Sequence, residues 1–205
     1  MSGRIFCIMG KSCSGKDTLY RHLMRDESLA LSRVISYTTR PIRANEANGK
    51  QYYFTDEEHF TALRDAGKVI ESRAYDTWYG VWYYFTADDG QIDLTKNDYL
   101  LIGTPESFVA LKKYFGEDRV IPVYIELDDG VRLERALRRE KKQETPKYEE
   151  MCRRFLTDAE DFSEEKLREA GIGVRFENRQ DELESTLQQV REYILSKQGR
   201  DDDGI

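Results

Sequence analysis

The sequence predicts an α/β protein in which a parallel sheet is covered on both faces by helices. Continuous apolar runs, typical of strands buried on both faces, alternate along the chain with segments whose apolar residues recur at helical spacing. Residues 37–87 depart from this pattern because they are dense in Tyr, Thr and Trp. We therefore expect a three-layer core formed by residues 1–36 and 88–197, a β-rich insert at 37–87, and a flexible polar tail at 198–205.

The individual elements are expected in the following order. Apolar and half-apolar runs predict strands at 4–10, 33–36, 68–75, 79–86, 98–104, 119–126 and 173–178. Helical spacing, first seen in Leu19, Leu23 and Met24, predicts helices from 16 to about 26, near 56–67, at 105–115, from 129 to about 142, from 146 to about 170 and at 181–197. The strands at 68–75 and 79–86 flank a short turn, which predicts an antiparallel hairpin.

The composition argues against several classes of function. The 205 residues carry a net charge of −7, which is unlike a dedicated nucleic-acid binder. The three cysteines, Cys7, Cys13 and Cys152, form no CxxC pair, so we expect neither a metal site nor a disulfide framework, and a reducing cytoplasm fits. There is neither a signal peptide nor an apolar run of about 20 residues, so we expect no membrane contact. The chain is expected to be a cytoplasmic monomer or weak homodimer.

The stretch GKSCSGKDT (10–18) follows the first predicted strand and has the spacing of a phosphate-binding P-loop. Gly10, Gly15 and Lys16 are in register with Gly-x-x-x-x-Gly-Lys, and a helix is predicted to follow. The N–H groups of such a turn point at one spot, where the helix N-terminus adds partial positive charge. The alternative is a glycine-containing turn that binds nothing. The predicted triphosphate-binding residues are Gly10, Ser12, Cys13, Ser14, Gly15, Lys16, Asp17 and Thr18.

Asp17 occupies the position of the usual Ser or Thr hydroxyl, and Thr18 follows one residue late. A carboxylate is a hard oxygen ligand, so Asp17 is a candidate ligand for Mg²⁺, directly or through water. The alternative is that Asp17 complements the positive end of the helix and points away from any ligand.

The stretch SYTTRPIRANEANGKQYYF (36–54) forms a second phosphate-binding constellation. It offers Arg40 and Arg43 three residues apart, an acid at Glu46, an Asn-Gly turn and Tyr52. Two guanidiniums can hold one phosphate bidentately, and a tyrosine hydroxyl can complete the cradle. Such a cluster soon after a P-loop predicts a second nucleotide, whereas the alternative is a solvated basic hairpin.

From Gly10 to Asn178 the chain resembles the guanylate kinase family, and these two stretches carry most of the resemblance. The implied fold is a three-layer P-loop kinase core with a parallel sheet, a β-rich insert that binds the nucleoside monophosphate (NMP), and a helical lid at about 138–153. The implied activity is in-line transfer of the γ-phosphoryl group of ATP to GMP with Mg²⁺, without a covalent intermediate. The residues that the resemblance assigns to GMP are Ser36, Arg40, Arg43, Glu46, Tyr52, Glu71, Tyr79 and Val81.

Within VIESRAYDTWYGVW (69–82), Glu71 falls where the family uses a carboxylate to accept hydrogen bonds from guanine, and Tyr79 falls on a phosphate-contacting tyrosine. A buried carboxylate suits guanine, whose edge presents two adjacent donors, and suits adenine poorly. The alternative for Glu71 is an outward-facing strand acid. The nearby aromatic residues are expected to form the packed face of the insert rather than to stack on a base; they are Trp78, Trp82, Tyr83 and Tyr84.

The segment from 132 to 155 resembles the lid of the family. Arg135 and Arg139 lie four apart on one helix face, and Arg154, or its neighbour Arg153, begins the next helix. The alternative is a solvated basic helix. Asn178 falls where the family places an Asn near the adenine of ATP. The resemblance assigns the stabilisation of charge on the transferring phosphoryl group to Lys16, Arg135, Arg139 and Arg154.

The chain departs from the family pattern in three places. Asp17 replaces the loop hydroxyl, Val81 replaces a serine that bonds guanine, and the acids of one strand are replaced by Ile102 and Thr104. Losing one such bond costs about 1–3 kcal/mol if its partner stays unpaired. We hypothesise that Asp17 restores a carboxylate to the metal region from the other side. Two alternatives stay open: a kinase of this fold with a different phosphate-bearing acceptor, and a catalytically silent, protein-binding domain.

Overall fold

The structure, a computed structural model, describes residues 3–43, 46–77, 80–179 and 182–198. Its strands are β1 Ile5–Met9, β2 Leu31–Arg33, β3 Tyr37–Thr38, β4 Tyr53–Phe54, β5 Val69–Thr77, β6 Gly80–Ala87, β7 Asp98–Ile102, β8 Val120–Glu126 and β9 Arg175–Glu177. Its helices are α1 Lys16–Leu23, α2 Glu57–Asp65, α3 Pro105–Phe115, α4 Asp129–Glu140, α5 Tyr148–Asp161, α6 Glu164–Glu169 and α7 Leu183–Lys197.

The larger sheet has five strands in the order β2-β7-β1-β8-β9, and every neighbouring pair is parallel. β1, with the sequence IFCIM, lies in the middle, and all five of its residues are buried. A strand covered on both faces must be apolar on both, which is why β1 is a continuous apolar run. Its carboxyl end leads directly into the glycine-rich loop at 10–15.

Two apolar clusters cover the two faces of this sheet. Successive side chains of β1 point to opposite faces, so Ile5 and Cys7 pack with α3 and α6, whereas Phe6 and Ile8 pack with α1 and α7. Helices therefore lie on both sides of a parallel sheet, and the predicted three-layer α/β core is confirmed.

A second sheet, in the order β4-β3-β6-β5, falls within the predicted insert. β5 and β6 pair antiparallel from Val69–Ala87 to Thr77–Gly80, so the predicted hairpin is confirmed. α2 covers this sheet: the ring of Phe60 stacks on Tyr83 with 4.3 Å between centroids. Tyr83 is thus a packing residue, as expected, while Trp78 lies outside the described residues.

The single helix expected from 146 to about 170 is wrong, because α5 ends at Asp161 and α6 begins at Glu164. Between them Phe162 turns into the core, where it is buried and its ring stacks on Tyr124 with 5.9 Å between centroids. Ser163 then starts the new helix, since its side chain accepts a hydrogen bond from the N–H of Lys166.

The strand expected at 33–36 is also misplaced. The strand that pairs with β7 is β2, two residues earlier, and Val34 packs in the core beyond its end. The N–H of Ile35 donates to Oε1 of Gln91, after which β3 enters the other sheet. Residues 34–36 therefore carry the chain from one sheet to the other. None of the helices within the described ranges is long and apolar enough to cross a membrane.

Candidate active site

The loop between β1 and α1 adopts a backbone that only glycine fits at one position. Gly15 has φ 94°, and a Cβ there would lie 2.2 Å from Nδ2 of Asn178. That amide nitrogen donates to the carbonyl of Ser14 at 2.7 Å, and Asn178 is buried at the end of β9. Asn178 therefore lies behind the loop and fixes its shape. Cys13 is also left-handed, with φ 66°.

Lys16 and Asp17 begin α1 with their side chains together. Nζ of Lys16 lies 3.2 Å from Oδ2 of Asp17, and the Asp17 side chain is 71% exposed. Thr18 accepts a hydrogen bond from Arg21 at 3.2 Å, so its hydroxyl is already engaged by the helix. The loop thus presents one ammonium and one accessible carboxylate at a helix N-terminus.

The peptide of Ser12 is held on both sides by residues that the sequence did not single out. Its N–H donates to Oδ2 of Asp158 in α5 at 2.7 Å. Its carbonyl accepts a hydrogen bond from Nη1 of Arg132 in α4 at 2.9 Å. The guanidinium of Arg132 is almost completely buried, and it lies over the ring of Phe155 at 4.6 Å. We call Arg132 and Asp158 the Ser12 clamp.

The Ser12 clamp is extended by a further carboxylate. Nε of Arg132 donates to Oδ1 of Asp129 at 2.9 Å, and Nζ of Lys11 lies 3.3 Å from the same oxygen. Burial would raise the pKa of Asp129, but the hydrogen bonds and positive charges of Arg132 and Lys11 together outweigh burial, and the pKa is lowered. Two loop residues, Lys11 and Ser12, are therefore tied to the start of α4.

The predicted catalytic arginines lie at different distances from the loop. Nη2 of Arg154 lies 3.4 Å from Oγ of Ser12, whereas Arg153 donates to Glu150 at 2.7 Å on the outer side of α5. Nη1 of Arg135 would lie 3.9 Å from a Cβ at Gly15, so Arg135 also reaches the loop. Arg139, one turn further along α4, is exposed.

The predicted phosphate cradle of the insert, Arg40, Arg43 and Tyr52, is organised by an ion pair. The buried Arg40 donates from both Nη atoms to Glu46, at 2.6 and 2.7 Å, and its guanidinium carbon lies 5.2 Å from the ring centroid of Tyr52. These hydrogen bonds hold the pKa of Glu46 below its ordinary value. Oε2 of Glu46 also accepts the N–H of Arg43 at 3.0 Å. Glu46 therefore orients the guanidinium of Arg40 and holds the backbone of Arg43.

A chain of polar side chains runs through the other end of this pocket. Thr86 lies 3.4 Å from Ser36, hydroxyl to hydroxyl, and donates to Oε1 of the buried Glu71 at 2.8 Å. Oε2 of Glu71 faces Nε of Arg73 at 3.4 Å, and Nη1 of Arg73 lies 3.4 Å from Oγ1 of Thr104. Ser36 and Glu71 are therefore brought together as predicted, through Thr86. Arg73 was not anticipated, although its spacing of two from Glu71 on a strand signals a shared face.

The other departures from the family pattern have local structural roles. Thr104 is the N-cap of α3, where its side chain accepts the N–H of Ser107 at 3.3 Å. Ile102 packs against the apolar cluster beneath α1 and α7. Val81 is 42% exposed on β6, and Tyr79 lies outside the described residues.

Tyr52 of the insert lies within electrostatic reach of the P-loop. Burial raises the pKa of Tyr52; the charge of Asp17 adds to the rise, while Arg73 and Arg40 oppose it. The hydroxyl of Tyr52 is thus within electrostatic reach of both the loop and the cradle. On the α5 side, a cavity of about 260 Å³ between β5 and α5 is lined by Asp76, Thr77, Glu150 and Arg153.

Comparisons with known proteins agree with this geometry. Residues 2–197 match the family model described as guanylate kinase. A guanylate kinase of Bordetella pertussis is 42% identical over 81 residues, an alignment that covers 38% of this chain and only 37% of the length of that relative. A guanylate kinase of Porphyromonas gingivalis is 29% identical over 194 residues, which cover 93% of this chain and 96% of the relative.

Among solved structures, the guanylate kinase of Anaplasma phagocytophilum is similar in fold, with a TM-score of 0.68. The match covers 98% of this chain and 88% of that one at 19% identity, so it speaks for the fold alone. The family model, in contrast, spans the core, the insert and the segment of α4 and α5 together. This chain belongs to the guanylate kinase family.

Proposed function

We propose that this protein transfers the γ-phosphoryl group of ATP to GMP, giving ADP and GDP. The observation that carries the proposal is the position of Tyr52: the guanidinium of Arg40 lies over its ring, and its hydroxyl is within electrostatic reach of Asp17 in the P-loop. A loop that holds a triphosphate and a cradle that holds a second phosphate are the two halves of a phosphoryl transfer site. Family membership over residues 2–197 supports the same reaction.

On the donor side, the N–H groups of the loop and the ammonium of Lys16 hold the triphosphate. Arg135 and Arg154 reach the loop, and Arg139 lies one turn beyond Arg135 on α4. We assign these arginines to the transferring phosphoryl group, on which negative charge is spread in the transition state. The segment at about 138–153 serves as the lid that excludes water.

Asp17 is the residue that suits Mg²⁺. Mg²⁺ is usually held by one or two carboxylates together with substrate phosphates, and Asp17 supplies one exposed carboxylate beside the loop. Within the described ranges no group of three or more His, Cys, Asp or Glu residues is placed to hold a metal ion. When bound, Mg²⁺ neutralises charge on the phosphates.

On the acceptor side, Arg40 keeps donors available for a phosphate. A guanidinium has five N–H groups, and three of those on Arg40 go to Glu46 and to the carbonyl of Pro41. The remaining two, with Arg43 and the hydroxyl of Tyr52, hold the phosphate of GMP in this proposal, joined by Tyr79. Ser36 and Glu71 lie at the end where the base is read.

We propose that the protein acts as a monomer or weak homodimer with nucleotides as its ligands and without a membrane partner; the net charge of −7 argues against a nucleic-acid partner. Three cysteines without a CxxC pair suit a reducing compartment, so we place the activity in the cytoplasm.

The test is release of ADP from ATP and Mg²⁺ with GMP, dGMP, AMP, CMP and UMP in parallel. We expect strong turnover with GMP. Lys16→Met is expected to abolish turnover, whereas Arg64→Met, on the exposed side of α2, is expected to leave it unchanged. Silence with all five acceptors while ATP still binds would overturn the proposal and direct attention to Val81 and Thr104.

The role of Asp17 has its own test. If its carboxylate helps to hold Mg²⁺, Asp17→Ala is expected to raise the Mg²⁺ concentration needed for half-maximal turnover while leaving the affinity for metal-free ATP nearly unchanged. An unchanged Mg²⁺ requirement would assign Asp17 to the helix N-terminus instead.

A further inference from the structure

We propose that Arg73 is a positioning residue for Glu71: it keeps the carboxylate ionised and in the orientation that accepts hydrogen bonds from the acceptor base. This inference rests on the proposed function, in which Glu71 lies where the base is read, and it adds a residue that the sequence did not single out. Thr86 contacts Glu71 and Thr104 contacts Arg73. We call these four residues the Glu71 frame.

The first argument is the burial of the Glu71 charge. The side chain of Glu71 is 4% exposed, and its Oε2 atom is buried without a hydrogen-bond partner among the described residues. An ionised carboxylate is costly to bury unless an opposite charge lies beside it. Arg73 supplies that charge, because its Nε lies 3.4 Å from Oε2. The guanidinium therefore stabilises the ionised form of Glu71 at a place that water hardly reaches.

The second argument is the way in which Glu71 is held. Thr86 is buried, and its hydroxyl donates to Oε1 of Glu71 at 2.8 Å. With one oxygen bonded to Thr86 and the other beside Arg73, the rotation of the carboxylate is restricted. Each carboxylate oxygen has two lone-pair sites, so both oxygens can still accept from the adjacent N1–H and 2-amino donors of guanine. The Glu71 frame therefore orients the carboxylate and leaves acceptor capacity for the base.

The third argument is that Thr104 is neutral. Nη1 of Arg73 lies 3.4 Å from Oγ1 of Thr104, the N-cap of α3, which also accepts the N–H of Ser107. An aspartate at this position would be a second carboxylate beside the guanidinium and would compete with Glu71 for it. The threonine therefore leaves the charge of Arg73 to Glu71. This accounts for one departure from the family pattern, the loss of an acid at position 104.

The other titratable groups near the pair are neutral at ordinary pH. Arg73 lies within electrostatic reach of Tyr75 on its own strand, of Tyr52 and of Cys7 in β1, and Cys7 is also close to the charge of Glu71. Burial raises the pKa of Cys7 and of both tyrosines. Arg73 is therefore the charged neighbour on which the protonation of Glu71 depends.

The first experiment compares GMP with inosine monophosphate (IMP), which keeps the N1–H and lacks the 2-amino group, as acceptors for wild type and Arg73→Met. Arg64→Met is the surface control. We expect Arg73→Met to lower kcat/KM for GMP by about 10- to 100-fold and to lower the preference for GMP over IMP by at least about fivefold, because GMP has one more hydrogen bond to lose. An equal loss for the two acceptors would assign Arg73 a merely structural role and overturn the proposal.

The second experiment measures kcat/KM for GMP against pH. Burial without an opposite charge favours the protonated form of a carboxyl group, so in Arg73→Met we expect Glu71 to hold a proton at pH 6 and to release it towards pH 9. A protonated Glu71 would present a donor to the donors of guanine. We therefore expect the activity of Arg73→Met, divided by that of wild type, to increase at least about fivefold from pH 6 to pH 9. A ratio that stays constant would overturn the proposal.

Two further variants keep the test valid if Arg73→Met does not fold. Arg73→Gln also removes the charge and carries the same comparison. Arg73→Lys keeps the charge, so its activity ratio to wild type is expected to stay constant with pH. A ratio that increases as much in Arg73→Lys as in Arg73→Gln would contradict an electrostatic role and overturn the proposal.

The failure of this inference is distinguishable from the failure of the proposed function. A wild-type protein that does not phosphorylate GMP overturns both. A wild-type protein that does phosphorylate GMP, but whose preference over IMP and pH dependence are unchanged in Arg73→Met, overturns only the role of Arg73.

Discussion

Replacing Arg132 by Met tests whether the Ser12 clamp stabilises the fold. Arg132 is 1% exposed and joins three parts of the chain: its Nη1 donates to the carbonyl of Ser12, its Nε donates to Asp129, and its Nη1 lies 3.4 Å from Asp158. Methionine keeps an apolar stem of similar length, and it removes the charge, the hydrogen bonds and the contact of the guanidinium with the ring of Phe155.

The expected loss of stability follows from these contacts. Breaking a buried ion pair by removing one partner costs about 3–5 kcal/mol. The lower end applies here, because Asp158 keeps the N–H of Ser12 and Asp129 keeps Lys11, so neither carboxylate is left alone. We expect Arg132→Met to lower the free energy of unfolding by about 3 kcal/mol, which for a domain of this size is about 6–12 °C in Tm.

The assay is urea unfolding followed by circular dichroism, with Arg153→Met as the matched control. Arg153 and its partner Glu150 are 44% and 46% exposed, so their ion pair contributes at most about 1 kcal/mol. If Arg132→Met lowers the free energy of unfolding no more than Arg153→Met does, the buried guanidinium adds nothing to stability, and the reasoning is refuted.

Three further outcomes are expected. In Gly15→Ala, an alanine must adopt the left-handed conformation, and its Cβ would lie 2.2 Å from Nδ2 of Asn178. The substitution should therefore lower the free energy of unfolding by at least about 1 kcal/mol and weaken ATP binding measured by calorimetry. Because the pKa of Glu46 is lowered in the folded protein, its ion pair stabilises the fold above the ordinary pKa of a glutamate, and this stabilisation is lost as the pH falls through the lowered pKa. Wild type should therefore have a higher Tm than Glu46→Gln at pH 7, and the difference should shrink below about pH 4. Burial, and then the charge of Glu71, raises the pKa of Cys7, so a maleimide at pH 8 should label the exposed Cys152 in the native protein and Cys7 only after unfolding.

The core of the fold was predictable because its signal is local. Buried parallel strands such as β1 and β8 can be recognised in the sequence as nearly continuous apolar runs. The start of α3 is marked by Thr104 and Pro105, and its end by Gly116. The break between α5 and α6 was missed although Ser163 followed by two glutamates is a helix start signal. Helical spacing continued across it, and only the burial of Phe162 against Tyr124 shows why the helix stops there.

The sequence predicts the site residues whose type and spacing indicate their chemistry, but not those whose role depends on being buried in the folded protein. The glycines, Lys16 and the cradle arginines stand in recognisable patterns. Arg132 and Arg138, in contrast, are equally plausible surface arginines on a basic helix, and only tertiary packing buries the first and exposes the second. Asp158 looked like one member of an acidic run, and its partner lies 146 positions away.

The clamp on Ser12 also has a mechanical consequence. Both α4 and α5 are anchored to the loop that follows β1, through the peptide of Ser12. Beyond Arg132, α4 extends about eight residues, or about 12 Å, to its end at Glu140. We therefore expect a displacement of the loop backbone at Ser12 to shift both helices, and to shift the end of α4 more than the residues next to the clamp. We expect occupation of the loop to be coupled, through this one peptide unit, to the position of Glu150 and Arg153 in α5, which line a cavity with Asp76 and Thr77 of the insert.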